Sequence, residues 1–136
     1  MAKELTISTT ARNAALDAVT ALLDIGGSAT MEIYNGTKPV GGPSTPISDQ
    51  VKGVTLTMSS TAFAAAVEGG AMANPITSGV GVANITATWA RLKSGEGTPV
   101  MDYDVDEADA TALINTTTIT IGLEVSCSSF TLSHPA

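Results

Sequence analysis

Five acidic side chains form the densest charge cluster of the chain. They are Asp102, Asp104, Asp106, Glu107 and Asp109. Carboxylates at alternate positions are typical of loops that bind a hard cation such as calcium, but the EF-hand pattern requires glycine at loop position six and glutamate at position twelve. Counted from Asp102, those positions hold Glu107 and Leu113. We therefore expect carboxylates that are solvated at the end of a strand, with a cation held between subunits as the alternative.

The sequence contains few residues that could carry out nucleophilic catalysis. His134 is the only histidine, and no nucleophile elbow of the form Gly-x-Ser-x-Gly occurs. The stretch Gly79-Val80-Gly81 lacks the third glycine and the following helix of a phosphate-binding loop. Cys127, the only cysteine, falls on the apolar side of a predicted strand, where a thiol usually behaves as a buried hydrophobic group. These patterns predict a protein that is not an enzyme and that uses no cofactor.

The charge balance argues against two classes of partner. The 136 residues include six Lys and Arg against thirteen Asp and Glu, which gives a formal net charge of −7. Nucleic acids and anionic membrane surfaces are bound by basic surfaces, so we expect neither as a partner. The N-terminus has no long apolar run, which predicts no signal peptide, and no stretch approaches the roughly 20 apolar residues of a membrane span. We expect a chain kept in a cytosol-like compartment or in a particle assembled there.

One amphipathic helix is predicted near the N-terminus. Apolar residues recur at helical spacing, at positions 15, 16, 19, 22 and 23. Ser8, Thr9 or Thr10 supplies an N-cap, and Gly26-Gly27 supplies the end signal. The prediction is a helix over residues 10–24. Residues 1–8 then form an N-terminal arm or short edge strand, and residues 9–136 form a single domain.

Seven or eight strands are predicted to follow the helix. The main stretches are 29–34, 51–58, 71–76, 85–92, 99–105 and the last twenty residues, 117–136. The one-residue slip at Ser128-Ser129 predicts a bulge in that final strand, which we expect near the centre of a sheet. Residues 61–67 fit either a strand or a helix, with extended structure favoured. The fold class is mainly β: an antiparallel β-sandwich or jelly-roll-like single domain with one N-terminal α-helix.

Side-chain alternation along these strands predicts the core. The inward residues are Ala29, Met31, Ile33, Val54, Leu56 and Met58, with Phe63, Trp89 and Phe130 as large anchors. Glu32 and Tyr34 are predicted to face outward, and Arg91 to pair with the acidic cluster. Residues 36–50 are predicted to be a loop, because they are too rich in proline and glycine for ladder pairing. A loop of this length within a compact domain is usually functional or mobile.

Several segments of the chain resemble segments of a known group of proteins. The helix 11–18 leads into the strand Met31-Glu-Ile-Tyr-Asn-Gly-Thr-Lys-Pro39, the middle reads Ala87-Thr-Trp-Ala-Arg-Leu92, and the end reads Asn115-Thr-Thr-Thr-Ile-Thr-Ile-Gly122 and Ser129-Phe-Thr-Leu-Ser-His-Pro-Ala136. Together these segments resemble a group of small structural proteins of tailed bacteriophages, regarded as head decoration (cement) proteins. The resemblance spans nearly the whole chain, and residues 129–136 are its most distinctive piece.

The resemblance implies a role, a location and partners. It implies β-rich subunits, with a homotrimer favoured, that bind the major capsid protein on the outer capsid surface of a virion assembled in the bacterial cytoplasm. Residues of the arm and of the loop 36–50 are the candidates for ordering on partner contact: Lys3, Glu4, Leu5, Ile7, Lys38, Pro39, Pro43 and Pro46. One alternative is a tail or head–tail joining protein. Another is a host- or carbohydrate-binding module on the particle that uses Tyr34 or Tyr103.

Overall fold

A single helix, α1 (Thr9–Leu23), begins the ordered elements of the computed structural model, which describes residues 5–134. The Ser8 hydroxyl oxygen caps it by accepting the Ala11 amide at 3.1 Å, so the predicted helix and its N-cap are confirmed. Of the predicted apolar stripe, Leu16 and Leu23 are buried, whereas the positions at 19 and 22 are partly exposed. The stripe that packs on the sheet is therefore narrower than the spacing predicts.

Polar contacts complete the packing of α1. The Asp24 and Asp17 carboxylates accept the amides of Ala62 and Ala66, each at 2.8 Å. The Asn13 side-chain oxygen accepts the Gly69 amide at 2.8 Å. These bonds tie the helix to residues 61–69. The ambiguous stretch 61–67 contains no helix and forms isolated bridges at Phe63 and Val67, and the turn that follows has Gly69 at φ of +79°.

Eleven strands follow within residues 5–134. Their bounds are β1 Thr30–Tyr34, β2 Lys52–Thr57, β3 Gly70–Met72, β4 Gly79–Val80, β5 Ile85–Thr86, β6 Trp89–Lys93, β7 Pro99–Asp106, β8 Ala112–Ile114, β9 Thr118–Ile119, β10 Glu124–Val125 and β11 Cys127–Ser133. Seven form one sheet in the order β2-β1-β6-β7-β8-β11-β3, and the others form the two-stranded ribbons β10-β4 and β5-β9. The predicted hairpin between 85–92 and 99–105 is the β6–β7 pair.

The large sheet curls, and both of its edge strands are covered. Every pair in it is antiparallel except β7–β8, which is parallel. The bridge Thr57–Thr77 pairs a later segment with the end of edge strand β2, and the Val82 amide donates to the Gly53 oxygen on the same strand at 2.7 Å. At the other edge, the bridge Phe63–Ala73 pairs residue 63 with the residue that follows β3. Covered edges leave few unpaired backbone groups to template association with another chain. The mainly β single domain with one N-terminal helix is confirmed.

One apolar cluster packs on one face of the curled sheet. All six predicted inward residues of β1 and β2 and their flanks are buried in it: Ala29, Met31, Ile33, Val54, Leu56 and Met58. The predicted anchors Phe63 and Phe130 meet edge to face, with ring centroids 5.0 Å apart. The alternation read from the sequence thus identified the main core correctly, because these strands keep one face on the core along their length.

The final stretch of the chain differs from the prediction. It is divided into β9, β10 and β11, and β11 is the last but one strand of the sheet rather than a central strand. Gly122, with φ of +86°, sits in the turn between β9 and β10. The bulge is confirmed, because the pairing with β8 shifts between Cys127 and Ser129. A left-handed glycine and a tight turn interrupted an apolar pattern that looked continuous.

No helix among residues 5–134 is long and apolar enough to cross a membrane.

The predicted strand 85–92 is divided in the structure into β5 and β6, with a break at Ala87-Thr88. Ile85 and Ala87 before the break belong to the apolar core, whereas the predicted anchor Trp89 after it does not. This break positions the residues of the candidate site.

Candidate interaction surface

The outer face of β1, β6 and β7 is buried around Tyr34, Trp89 and Arg91. In the β1–β6 pair, Ile33 lies opposite Ala90 in the main core, so the neighbouring pair Tyr34–Trp89 faces the other side. The two rings stack with centroids 4.8 Å apart and planes 16° from parallel. The prediction that Tyr34 faces outward is confirmed, but it is not solvated, because a loop covers this face.

Arg91 lies at the centre of this outer face. Its guanidinium donates to both Asp102 carboxylate oxygens, at 2.8 and 3.0 Å, and both side chains are only 4% exposed. The hydrogen bond to Asp102 raises the pKa of Arg91 above its ordinary value. The predicted pairing of Arg91 with the acidic cluster is confirmed. The prediction that Asp102 is a solvated strand-end carboxylate is wrong, because the side of β7 that it faces is covered.

The remaining donors of Arg91 fix the backbone of the loop 36–50. Its Nη1 donates to the Thr45 carbonyl oxygen at 2.8 Å, and its Nη2 to that of Gly42 at 3.4 Å. The guanidinium carbon also lies 5.5 Å from the centre of the Trp89 ring, within range of a cation–π contact. One buried cation thus connects the sheet to the middle of the loop.

The loop itself consists of two tight turns in succession. The Gly42 amide donates to the Pro39 oxygen at 3.3 Å, and the Thr45 amide donates to the Gly42 oxygen at 3.0 Å. Pro43 is the second residue of the later turn, a position that its fixed φ favours. Gly42 joins the two turns at φ of +85°, a conformation that other residues rarely adopt.

The base of the loop is tied down at both ends. The Trp89 indole donates to the Asn35 oxygen at 2.9 Å, and the Thr88 hydroxyl donates to the Gly36 oxygen at 2.7 Å. The Val51 amide donates to the Asn35 side chain at 2.7 Å. Residues 36–50 are therefore an irregular segment whose turns and base are hydrogen-bonded to the rest of the fold.

A second charged group lies beside this cluster. Glu32 accepts the Tyr34 hydroxyl at 2.7 Å and pairs with Lys93 at 3.0 Å and Lys52 at 3.6 Å. Burial raises the pKa of Glu32, but the Tyr34 hydrogen bond and the two lysines outweigh burial, so the net effect lowers it. Burial and the bond to Glu32 raise the pKa of the Tyr34 hydroxyl. Glu32 is thus held as a carboxylate at neutral pH.

The predicted contact residues differ in their exposure. Lys3 and Glu4 lie outside the described residues. Leu5 is 83% exposed and Ile7 is half-buried ahead of α1. In the loop, Lys38 and Pro46 are exposed, and Pro39 and Pro43 are half-buried.

Sequence reasoning missed Val40, which is fully exposed (101%) at the corner of the first turn. The sequence could have revealed this exposed position, because Val40 lies within the turn sequence Pro-Val-Gly-Gly-Pro.

The rest of the acidic cluster is dispersed. Asp104 accepts the Thr111 hydroxyl at 2.8 Å, and that bond lowers the pKa of Asp104. Glu107 accepts the Thr117 hydroxyl and amide, each at 3.0 Å. Within residues 5–134, no three His, Cys, Asp or Glu side chains are grouped as metal ligands.

The two remaining candidates for chemistry belong to the packing of β11. Cys127 is half-buried, its thiol lies 3.5 Å from the Ser129 oxygen, and burial raises the pKa of the thiol, which favours the unreactive form. The His134 amide donates to the Gly69 oxygen at 2.9 Å and thereby extends the edge of the sheet.

All five aromatic side chains are buried: Tyr34, Phe63, Trp89, Tyr103 and Phe130. Aromatic stacking on a sugar, the basis of the carbohydrate alternative, therefore has no exposed ring to use in the described part of the chain. Comparisons of the chain with family models, with curated proteins and with solved structures find no match. Its function has to be inferred from its own residues.

Proposed function

We propose that the protein is a non-enzymatic virion structural protein that binds the outer surface of a bacteriophage capsid and stabilises it. The observation that carries the proposal is the resemblance of the quoted segments, above all residues 129–136, to phage head decoration proteins. The major capsid protein is the proposed partner. A homotrimer is the proposed form of the protein on the particle.

The chemistry of the surface is compatible with this role. Three of the five carboxylates of the acidic cluster, those of Asp102, Asp104 and Glu107, accept internal hydrogen bonds, and the lone cysteine is half-buried. The loop 36–50 is hydrogen-bonded to Arg91 on the sheet and carries the fully exposed Val40. Binding, rather than turnover, is the activity for which such a surface is suited.

Stabilisation would follow from selective binding. A protein that binds one state of a capsid lattice and not another stabilises that state by mass action. Many copies, each contacting more than one capsid subunit, add their weak contacts through avidity.

The test is the location and copy number of the protein in purified particles. Heads and tails of the phage that encodes the chain are separated on a gradient, and the protein in each fraction is quantified by mass spectrometry. Decoration predicts hundreds of copies per head and binding of the purified protein to expanded, empty heads. A few copies confined to tails or to the head–tail joint would overturn the proposal and identify a joining protein instead.

A further inference from the structure

We propose that Asn35 is a site of spontaneous covalent modification, at which the Gly36 backbone nitrogen attacks the Asn35 side-chain amide and the fold assists the attack. This chemistry is independent of any role on a capsid. Asn35 and Gly36 join β1 to the loop 36–50, and they are the only Asn-Gly pair of the chain. Both residues line an open groove of about 580 Å³, which gives water access to the side-chain amide.

The backbone nitrogen of Gly36 is accessible to act as the nucleophile. Among the hydrogen bonds of residues 5–134, none has the Gly36 amide as its donor. Gly36 is exposed and has φ of +75°, and a Cβ atom there would meet only the Gln50 side chain, at 3.5 Å. Because glycine has no Cβ, nothing on Gly36 itself hinders the approach of its nitrogen to the preceding side chain.

The Asn35 side chain is held in a way that suits this reaction. Its oxygen accepts the Val51 amide at 2.7 Å, so this N–H points at the atom on which negative charge develops when Cγ is attacked. A preorganised donor at such an oxygen lowers the barrier, as it does in an oxyanion hole. In the described part of the chain, no residue accepts a hydrogen bond from the side-chain nitrogen, which is the leaving group.

The reaction balances without a cofactor. The Gly36 nitrogen gives up its proton through water and bonds to the Asn35 Cγ, the bond from Cγ to the side-chain nitrogen breaks, and ammonia leaves with that proton. The product is a five-membered succinimide. Water then opens one of the two ring carbonyls and gives either aspartate at position 35 or isoaspartate, in which the backbone runs through the side chain.

The isoaspartate product would loosen the base of the loop. The Asn35 and Gly36 carbonyl oxygens accept the Trp89 indole and the Thr88 hydroxyl, at 2.9 and 2.7 Å. In isoaspartate the Asn35 carbonyl becomes a free carboxylate and the backbone gains one carbon before Gly36, so the two acceptors lose their present spacing. The aspartate product adds one negative charge and keeps an oxygen for the Val51 amide. Asn35 is thus the point at which slow chemistry alters the loop and leaves the apolar core intact.

Peptide mapping by mass spectrometry, after incubation of the purified protein at mildly alkaline pH, is the test. Asn84 is the matched internal control, because its side-chain oxygen also accepts a backbone amide, that of Ile121 at 3.0 Å, and it lines the same groove. Asn84 is the more exposed of the two, but a buried isoleucine follows it. We expect Asn35 to convert roughly tenfold or more faster than Asn84. Equal rates at the two sites, or no conversion at Asn35, would overturn the proposal.

Two further measurements separate the contribution of the local sequence from that of the fold. In Gly36→Ala the added methyl group has room, and conversion at Asn35 should slow roughly tenfold or more. The wild-type chain unfolded in urea keeps the Asn-Gly pair but loses the Val51 donor, so it should convert more slowly than the folded protein. Faster conversion of the unfolded chain would show that the fold protects Asn35 and would overturn the assistance.

The consequence for the loop is measured on the isoaspartate form, isolated by ion-exchange chromatography. Its Trp89 indole N–H should exchange with solvent roughly tenfold faster than in the unmodified protein, because the acceptor has moved. Equal exchange in the two forms would show that the base of the loop tolerates the modification, and would overturn this consequence.

Discussion

Both faces of β1, β6 and β7 carry buried side chains, but of different kinds. On the inner face, Met31, Ile33 and Leu92 are fully buried in the apolar core. On the outer face, Trp89 and Arg91 are buried beneath a loop that contains neither helix nor strand. The inner face fixes where the strands lie, and the outer face fixes the conformation of the loop above them.

The energetics of the two faces differ accordingly. Each fully buried aliphatic side chain of the inner face contributes about 1.5–3 kcal/mol. The Arg91–Asp102 pair gains Coulomb energy but loses hydration, so its net contribution is close to neutral compared with apolar residues of similar size. Removing only one member of the pair strongly destabilises the fold, because the other charge is then left buried and uncompensated.

The largest expected effect is therefore on the outer face. Asp102→Ala leaves the Arg91 guanidinium buried without its carboxylate, which should lower the free energy of unfolding by about 4 kcal/mol. Urea denaturation measures the change. The matched control is Asp106→Ala, an exposed carboxylate on the same strand, which should stay within about 0.5 kcal/mol of wild type. Similar small losses in both variants would show that Arg91 does not depend on Asp102.

The inner face should respond somewhat less to a single truncation. Leu92→Ala removes a fully buried side chain and leaves a cavity, which should cost about 3 kcal/mol in the same denaturation experiment. Val82→Ala, an exposed aliphatic site, serves as the control and should be nearly silent. A loss at Leu92 no greater than that at Val82 would contradict the placement of the core on this face.

The smallest effect concerns pH. The pKa of Glu32 lies below its ordinary value of 4.5, so its ionised form stabilises the fold above that pH. This contribution is lost as the pH falls through the lowered pKa of the folded state. Lowering the pH from 7 to about 3 should reduce the urea midpoint more in the wild type than in Glu32→Gln. An equal fall in both proteins would exclude Glu32 as a source of the pH dependence.

The sequence predicted the inner face far better than the outer one. Alternation in β1 and β2 marks Met31, Ile33, Val54 and Leu56 as inward, because one face of each strand stays on the core. The helix was likewise readable from its spacing and its Ser8 cap.

The outer face could not be read from the same pattern. Alternation makes Tyr34 and Asp102 look solvated, since nothing local reveals that residues 36–50 fold back over them. Sequence separation is the reason: Arg91 binds carbonyl groups 46 and 49 residues away, and backbone carbonyls carry no sequence signal. The break between β9 and β10 likewise accompanies one glycine conformation, that of Gly122.

The central claim is that Arg91 and Asp102 fix the loop rather than the fold, and amide hydrogen exchange tests it most directly. The amides of Gly42 and Thr45 are hydrogen-bonded within the loop and report on its two turns. In the Arg91→Met/Asp102→Leu variant, we predict that both exchange at least roughly tenfold faster while the free energy of unfolding stays within about 1 kcal/mol of wild type. Unchanged exchange of these two amides in the variant, or a lack of protection in the wild type, would contradict the account.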